Sequence, residues 1–201
     1  MLDAYARRII DPPLDRIGRR LAAAGVSANG ITLAGFAVGL LAIPCLAAQR
    51  YEAALAAILL NRLADGLDGA VARRTRLSDL GGYLDIVCDF VFYAAVPFGF
   101  ALARPENAVP AAFLIFSFAG TGSSFLAFAI LAAKRNLTTA AQGRKSLYYL
   151  GGLTEGTETI ALFIAICLFP AWFPALAYLF GALCWLTTAT RMLSARRSFR
   201  D

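Results

Sequence analysis

The chain contains no histidine among its 201 residues. This absence excludes metal sites with imidazole ligands and every nucleophilic or acid–base mechanism that depends on imidazole. A general base must then be another group, and a carboxylate is the most suitable one. Charge is also scarce, because Asp, Glu, Lys and Arg make up 16% of the residues, against about 25% in soluble domains. With 59% hydrophobic residues, the composition indicates a membrane protein.

Cysteine provides no metal site either. Each of the four cysteines lies in an apolar run and none forms a Cys-x-x-Cys pair, so small buried side chains are expected. The net charge is +6, but the basic residues lie between apolar segments, which favours membrane lipids over nucleic acid as the partner.

The apolar segments predict an all-α bundle of six transmembrane helices. Spans are expected at about 29–48, 53–72, 80–103 and 107–133, and Pro170 and Pro174 divide residues 153–195 into two more. Residues 1–25 are expected to form an amphipathic interfacial segment, 26–195 the transmembrane domain and 196–201 a basic cytoplasmic tail. Pro12-Pro13 is expected to break the first segment, after which Leu14, Ile17 and Leu21 share an apolar face.

The distribution of basic residues predicts the orientation. With six spans, all Lys and Arg except Arg50, Arg62 and Arg104 lie on the side of the two termini. Since cytoplasmic loops are enriched in Lys and Arg, both termini are expected in the cytoplasm.

Four aspartates interrupt the second and third spans. Asp65 and Asp68 are three residues apart, and Asp85 and Asp89 are four apart, so each pair lies on one helical face. The two spans are antiparallel, so the acidic faces can meet near the cytoplasmic side. Carboxylates with no His or Cys suit Mg²⁺, Mn²⁺ or Ca²⁺. A proton or ion pathway, or ion pairs with nearby arginines, would explain the spacing as well.

Around these aspartates the chain resembles the CDP-alcohol phosphotransferases. Their signature D-x2-D-G-x2-A-R, then G-x3-D-x3-D, is matched here by Asp65, Asp68-Gly69, Ala72-Arg73, Gly81, Asp85 and Asp89. The spacer at 74–80 has seven residues where the family usually has eight. If Gly82 is taken as the motif glycine, the spacer has the usual eight residues. Gly81 is preferred, because it keeps the helical register with Asp85. The segment "SANGIT" at 27–32 is similar to the family's T-P-N-x-I-T before the first span, with Ala28 for the proline.

The resemblance implies a site and a reaction. Family members join an alcohol to a CDP-activated partner and release CMP. It implies that Asp65, Asp68 and Asp85 bind two divalent metal ions, Mg²⁺ or Mn²⁺, and that Asp89 completes this site and acts as the general base. It further implies that CDP is bound by a set of residues near the motif: Asn29, Thr32, Asp68, Gly69, Ala72, Arg73 and Gly81.

The sequence constrains the donor and acceptor substrates less than it constrains the site. The compact chain resembles bacterial members that use CDP-diacylglycerol; a CDP-aminoalcohol donor with a lipid acceptor is the alternative within the family. Five basic residues could bind a phosphorylated alcohol such as glycerol 3-phosphate or an inositol phosphate, or could face lipid headgroups: Lys134, Arg135, Arg144, Lys145 and Arg191. The family suggests a homodimer in the bacterial inner membrane.

Two further segments have alternative interpretations. Glu155 and Glu158 could stabilise a helix start, bind the hydroxyls of an uncharged polyol, or pair with Arg62. The segment "GTGSS" at 120–124 could pack closely against a neighbouring helix or line a pocket. From another functional class, an ion-coupled transporter could use the acidic cluster, although such a protein does not need D-G-x2-A-R.

Overall fold

The computed structural model describes residues 3–135 and 152–199, and within these ranges it is all-helical. The α-helices are α1 (Asp3–Ala23), α2 (Ala28–Leu40), α3 (Ala42–Ala47), α4 (Tyr51–Ala72), α5 (Asp79–Ala103), α6 (Ala108–Lys134), α7 (Gly156–Leu168) and α8 (Phe173–Ser198). Short 3₁₀ turns at Pro105–Asn107 and Pro170–Trp172 precede α6 and α8.

Four helical segments of the described chain are long and apolar enough to cross a membrane: Ala28–Ala47, Asp79–Ala103, Pro105–Lys134 and Pro170–Ser198. They coincide with the expected first, third, fourth and sixth spans. The other two expected spans are helical but are not in this group. The helix α4 carries Arg62, Asp65 and Asp68, and α7 has 13 residues, fewer than the ~20 needed to cross the hydrocarbon core. The count of six spans therefore stays a prediction.

The helix α1 corrects one expectation. It runs without interruption from Asp3 to Ala23 through Pro12 and Pro13, so the expected break is wrong. Proline fixes φ near the helical value, and both prolines are exposed, where water can reach the carbonyl groups that lose their donors. Of the expected apolar face, Leu14 is buried, whereas Ile17 is 45% exposed.

The helix α1 lies against the end of α4 that carries the aspartates. A Cβ added to Gly18 would come within 2.7 Å of Ala70 Cβ, and one added to Gly66 would meet the Leu14 side chain. The contact at Gly18 requires glycine, because the Ala70 Cβ cannot rotate away, whereas the end of the Leu14 side chain could move. The amino-terminal helix is therefore packed onto α4 beside the acidic residues.

The helices α2 and α4 also approach closely. A Cβ added to Gly35 on α2 would come within 2.4 Å of Ala64 Cβ on α4. This approach brings the first turns of α2 beside Asp65 and Asp68 on α4 and so positions one wall of the acidic cluster.

Aromatic side chains pack together at the end of the bundle that lies away from the aspartates. The Phe100 ring is stacked between Tyr51 at 5.8 Å and Phe173 at 4.3 Å between centroids. Nearby, Gln49 has a positive φ of 58°, and its Nε2 donates to the Ala103 carbonyl oxygen at 3.3 Å. These contacts tie α4, α5 and α8 together at this end, which we call the aromatic end.

Candidate active site

Three carboxylates converge between α4 and α5. One oxygen atom each of Asp65, Asp68 and Asp85 lies within 4.8 Å of the other two. Ser78 sets the start of α5, because its Oγ accepts a hydrogen bond from the Gly81 N–H at 3.1 Å. The expected convergence of the two acidic faces is thus present. Three carboxylate groups this close repel each other in a low dielectric, and an all-oxygen set of this kind fits a hard divalent cation.

The fourth aspartate, Asp89, has different side-chain contacts from the other three. Asp89 Oδ1 accepts a hydrogen bond from Arg62 Nη2 at 2.7 Å, whereas the nearest approach of Arg62 to Asp65 is 3.6 Å. Asp89 lines the same small cleft as the other three aspartates, but it is not part of their close group. The site therefore contains three convergent carboxylates and one carboxylate paired with a cation.

Asn61 and two aromatic rings hold the Arg62 guanidinium. Asn61 Oδ1 accepts from Arg62 Nε at 2.8 Å and from Nη2 at 2.6 Å. The Arg62 Cζ lies 4.7 Å from the Phe92 ring centroid and 5.6 Å from that of Tyr93, as in cation–π contacts. This cation therefore has a defined place on α4, between Asn61 and the two rings.

The helix α2 contributes the polar residues predicted from "SANGIT". Thr32 Oγ1 donates to Asp68 Oδ2 at 2.5 Å, which fixes a buried carboxylate. Asn29 faces α5, since a Cβ added to Gly81 would come within 3.1 Å of Asn29 Oδ1. Gly81 therefore lies close to α2, and its role as the motif glycine stays a prediction.

The remaining motif residues lie at the end of α4. Gly69 faces the side chain of Arg73, whose Nη1 would lie 3.3 Å from an added Cβ. Arg73 follows the last residue of α4, the half-buried Ala72, and its Nη2 lies 3.2 Å from Asp15 Oδ1 on α1. Whether these three residues bind CDP stays a prediction.

The three expected acceptor residues that the structure describes lie at two different places. Lys134 and Arg135 lie at the end of α6, with the Arg135 Cζ 5.5 Å from the Phe199 ring centroid. Arg191 is buried on α8, and its Nη1 donates to the Thr121 carbonyl oxygen on α6 at 2.9 Å. Arg144 and Lys145 lie outside the described residues.

Glu155, which precedes α7, and Glu158 in the first turn of α7 form a reciprocal capping box. Glu155 accepts from the backbone of the third helical residue, and Glu158 Oε2 accepts from the Glu155 N–H at 3.2 Å. This arrangement favours the helix-start interpretation, while Arg62 pairs with the aspartates.

The glycines of "GTGSS" are packed against rings. A Cβ on Gly120 would meet Trp185 at 3.1 Å, and one on Gly122 would meet Phe90 at 2.7 Å. The two glycines of this segment are therefore closely packed, which favours the packing interpretation.

Sequence reasoning missed Asn61 and Asp15. Asn61 is buried, and its Nδ2 donates to the Gly35 carbonyl oxygen at 3.0 Å. A polar residue beside Arg62 in an otherwise apolar run was a usable signal. Asp15 gave no signal, because an acidic residue on an amphipathic helix is ordinarily solvent-facing.

Comparisons with known proteins agree with this arrangement. Residues 25–193 match the family model described as CDP-alcohol phosphatidyltransferase. Inner membrane protein YnjF of Escherichia coli K12 is 60% identical over 195 residues, covering 96% of this chain and 95% of that protein. The archaetidylinositol phosphate synthase of Pyrococcus horikoshii is 38% identical over 94 residues, covering 46% of this chain and 50% of the synthase.

Solved structures share the fold. The phosphatidylinositol phosphate synthase of Mycobacterium tuberculosis with CDP-DAG bound has a TM-score of 0.65 at 20% identity, covering 91% of this chain and 93% of the other. The same synthase with manganese and citrate has a TM-score of 0.70 at 19% identity, covering 89% and 87%. The family match over residues 25–193 and the 60% identity along nearly the whole chain show that this integral membrane enzyme belongs to the CDP-alcohol phosphatidyltransferase family.

Proposed function

We propose that the enzyme transfers the phosphatidyl group of CDP-diacylglycerol to a hydroxyl group of a small alcohol and releases CMP, as a step of phospholipid biosynthesis. The observation that carries this proposal is the convergence of Asp65, Asp68 and Asp85 within 4.8 Å in a chain of this family. Membership in the family removes the reason to consider an ion-coupled transporter, since the acidic motif is accounted for by phosphotransfer.

Two divalent metal ions, Mg²⁺ or Mn²⁺, complete the proposed site. The residues fit such ions, because the atoms that converge are carboxylate oxygens of three aspartates, which are the ligands that hard divalent cations prefer. Asp65, Asp68 and Asp85 would hold the metal, and Asp89 would join them when the site is full. When bound, the metal withdraws charge from the diphosphate and stabilises CMP as the leaving group. The manganese in the related synthase structure supports this choice.

The donor is proposed to be CDP-diacylglycerol, which is the ligand named for the related synthase. The nucleotide is proposed to be bound by Asn29 and Thr32 on α2, of which Thr32 is hydrogen-bonded to Asp68, and by residues near the ends of α4 and α5: Gly69, Ala72, Arg73 and Gly81. Gly81 leaves space beside Asn29. A CDP-aminoalcohol donor is the alternative, and the choice is tested by the assay below.

Asp89 is proposed as the general base. The acceptor oxygen forms a bond to the β-phosphorus while the bond from that phosphorus to the bridging oxygen breaks. CMP leaves with the bonding electron pair, and a carboxylate oxygen of Asp89 takes the hydroxyl proton. With no histidine in the chain, a carboxylate beside the metal ligands is the suitable acceptor of this proton. Arg62 holds Asp89 in the cleft before substrate arrives.

The acceptor is proposed to be a phosphorylated alcohol, either an inositol phosphate or glycerol 3-phosphate. Arg191, which is buried between α8 and α6, is the residue best suited to a phosphate within the described chain, with Lys134 and Arg135 at the end of α6. The printed names of two relatives, an archaetidylinositol phosphate synthase and a phosphatidylinositol phosphate synthase, support an inositol phosphate first.

We further propose that the enzyme lies in the bacterial inner membrane with both termini and the aspartates at the cytoplasmic face, and that it forms a homodimer through α5 and α6. The inner-membrane name of the E. coli relative supports the location. Light scattering of the purified protein in detergent tests the dimer, and a monomer mass would contradict it.

The reaction is tested with purified protein, CDP-diacylglycerol, Mg²⁺ or Mn²⁺ and a panel of alcohols that includes inositol phosphate, glycerol 3-phosphate and free polyols. We expect metal-dependent CMP release with one phosphorylated acceptor. A parallel reaction contains CDP-choline and diacylglycerol, and CMP release there would replace the proposed donor. No CMP with any pair would contradict the proposed function.

A further inference from the structure

Arg62 lies at different distances from the carboxylates of the site. Its Nη2 lies 2.7 Å from Asp89 Oδ1 and its Nη1 lies 3.6 Å from Asp65 Oδ2. The other three carboxylates face each other within 4.8 Å. Arg62 is therefore hydrogen-bonded to Asp89 and forms only a longer ion pair with Asp65, while Asp65, Asp68 and Asp85 share a space in which a further cation fits.

The position of this guanidinium does not depend on Asp89 alone. Asn61 accepts two hydrogen bonds from Arg62 and is itself anchored by its bond to the Gly35 carbonyl oxygen on α2. The Phe92 ring on α5 covers the guanidinium at 4.7 Å. Because contacts from α2 and α5 hold the planar group, Arg62 is kept beside Asp89 by the bundle itself.

We propose that Arg62 is a positioning residue that takes the place of a second metal ion beside Asp89 in the enzyme without donor. In that state Asp65, Asp68 and Asp85 bind a single divalent ion. The second ion enters beside Asp89 only together with the diphosphate of the donor. This inference rests on the two-metal site of the proposed function and adds the order in which that site is filled.

The charges of the site favour this order. Four ionised aspartates and Arg62 together carry a charge of about −3, and one divalent ion brings the total to about −1. A second ion alone would make the site positive and would lie beside the guanidinium in a low dielectric. The diphosphate of the donor supplies the negative charge that removes this cost, so the donor and the second ion bind together.

Manganese binding tests the inference directly. Free Mn²⁺ is measured by electron paramagnetic resonance in detergent, with and without CDP, for wild type, Arg62→Gln and Arg104→Gln. Arg104 is an exposed residue at the aromatic end, so its substitution makes the same charge change away from the site. We expect wild type and Arg104→Gln to bind one ion without CDP and two with it. We expect Arg62→Gln to bind two ions in both conditions.

Two outcomes overturn the inference: wild type that binds two ions without CDP, or folded Arg62→Gln that binds only one. Folding is checked by gel filtration and thermal unfolding. Should Arg62→Gln not accumulate, Arg62→Lys retains the charge and is expected to bind one ion without CDP; two ions there overturn the inference. Wild type that binds one ion even with CDP contradicts the two-metal proposal instead, and the Arg62→Gln result then decides the inference separately.

Discussion

Asp89 is the aspartate whose contacts in the site differ most from those of its neighbours. It pairs with Arg62 at 2.7 Å and stands beside, not within, the group of Asp65, Asp68 and Asp85. A carboxylate in this place can take a proton from an acceptor while the other three remain bound to metal.

We therefore expect Asp89→Asn to retain binding of the first Mn²⁺ ion and of CDP but to lose turnover by a factor of about 10² or more, which is typical for removal of a general base. CMP release and Mn²⁺ binding are measured on the same preparation. An Asp89→Asn enzyme with near wild-type turnover would show that this residue is not the base.

Asp65→Asn should impair metal binding, which Asp89→Asn is expected to retain. Since Asp65 belongs to the convergent group, its loss should weaken binding of the first Mn²⁺ ion itself, by about tenfold or more, because a charged ligand is removed. Asp79→Asn is the matched control, because Asp79 is an exposed residue in the first turn of the same helix as Asp85. Equal Mn²⁺ affinity in both variants would contradict the ligand assignment.

At the scale of elements, the closeness of α2 and α4 determines the shape of the site. Gly35 allows the two helices to meet, because a Cβ there would come within 2.4 Å of Ala64 Cβ. This contact also places Thr32 beside Asp68 and allows Asn61 to reach the Gly35 carbonyl oxygen.

We expect Gly35→Ala to destabilise the protein by ~1–3 kcal/mol through overpacking and to lower activity as well, because the helices must separate. Thermal unfolding in detergent measures the first effect and CMP release the second. Gly69→Ala is the comparison, since its Cβ would meet only the flexible end of Arg73. That variant should unfold at the wild-type temperature, and a similar loss of stability in both would contradict the packing argument.

The helical periodicity of the aspartates was enough to predict that they converge, because residues three or four apart share a face in any α-helix. The pairing of Arg62 with Asp89 was not predictable in this way. It depends on how far α4 and α5 rotate about their axes, which the packing of Gly35 and Phe92 decides. The continuous α1 was missed for a different reason: prolines usually end helices, and whether exposed carbonyls can be solvated depends on what the helix packs against.

At the scale of the whole molecule, charge and apolar length together determine topology. Within the described chain, basic residues cluster at the ends of α1, α4, α6 and α8, which is the side of the aspartates. The connection between α5 and α6, at Pro105–Asn107, lies at the aromatic end.

We expect a reporter fused after residue 201 to be active as a fluorescent protein and inactive as alkaline phosphatase, because cytoplasmic segments are rich in Lys and Arg. A chain truncated at Glu106 and fused to alkaline phosphatase should give the opposite result, since the proposed topology places this position on the far side of the membrane. The ratio of the two reporter activities is measured in whole cells. Active phosphatase at residue 201 would invert the proposed orientation.

The aromatic end described above has a consequence for how a two-tailed lipid enters and leaves. Phe100, stacked between Tyr51 and Phe173, joins three helices there, and Gln49 adds a bond to the last turn of α5. Helices joined at one end can change their separation only by tilting, and the displacement is then largest at the far end. Any opening between these helices that leaves the stacked rings in contact would therefore be widest where the aspartates lie.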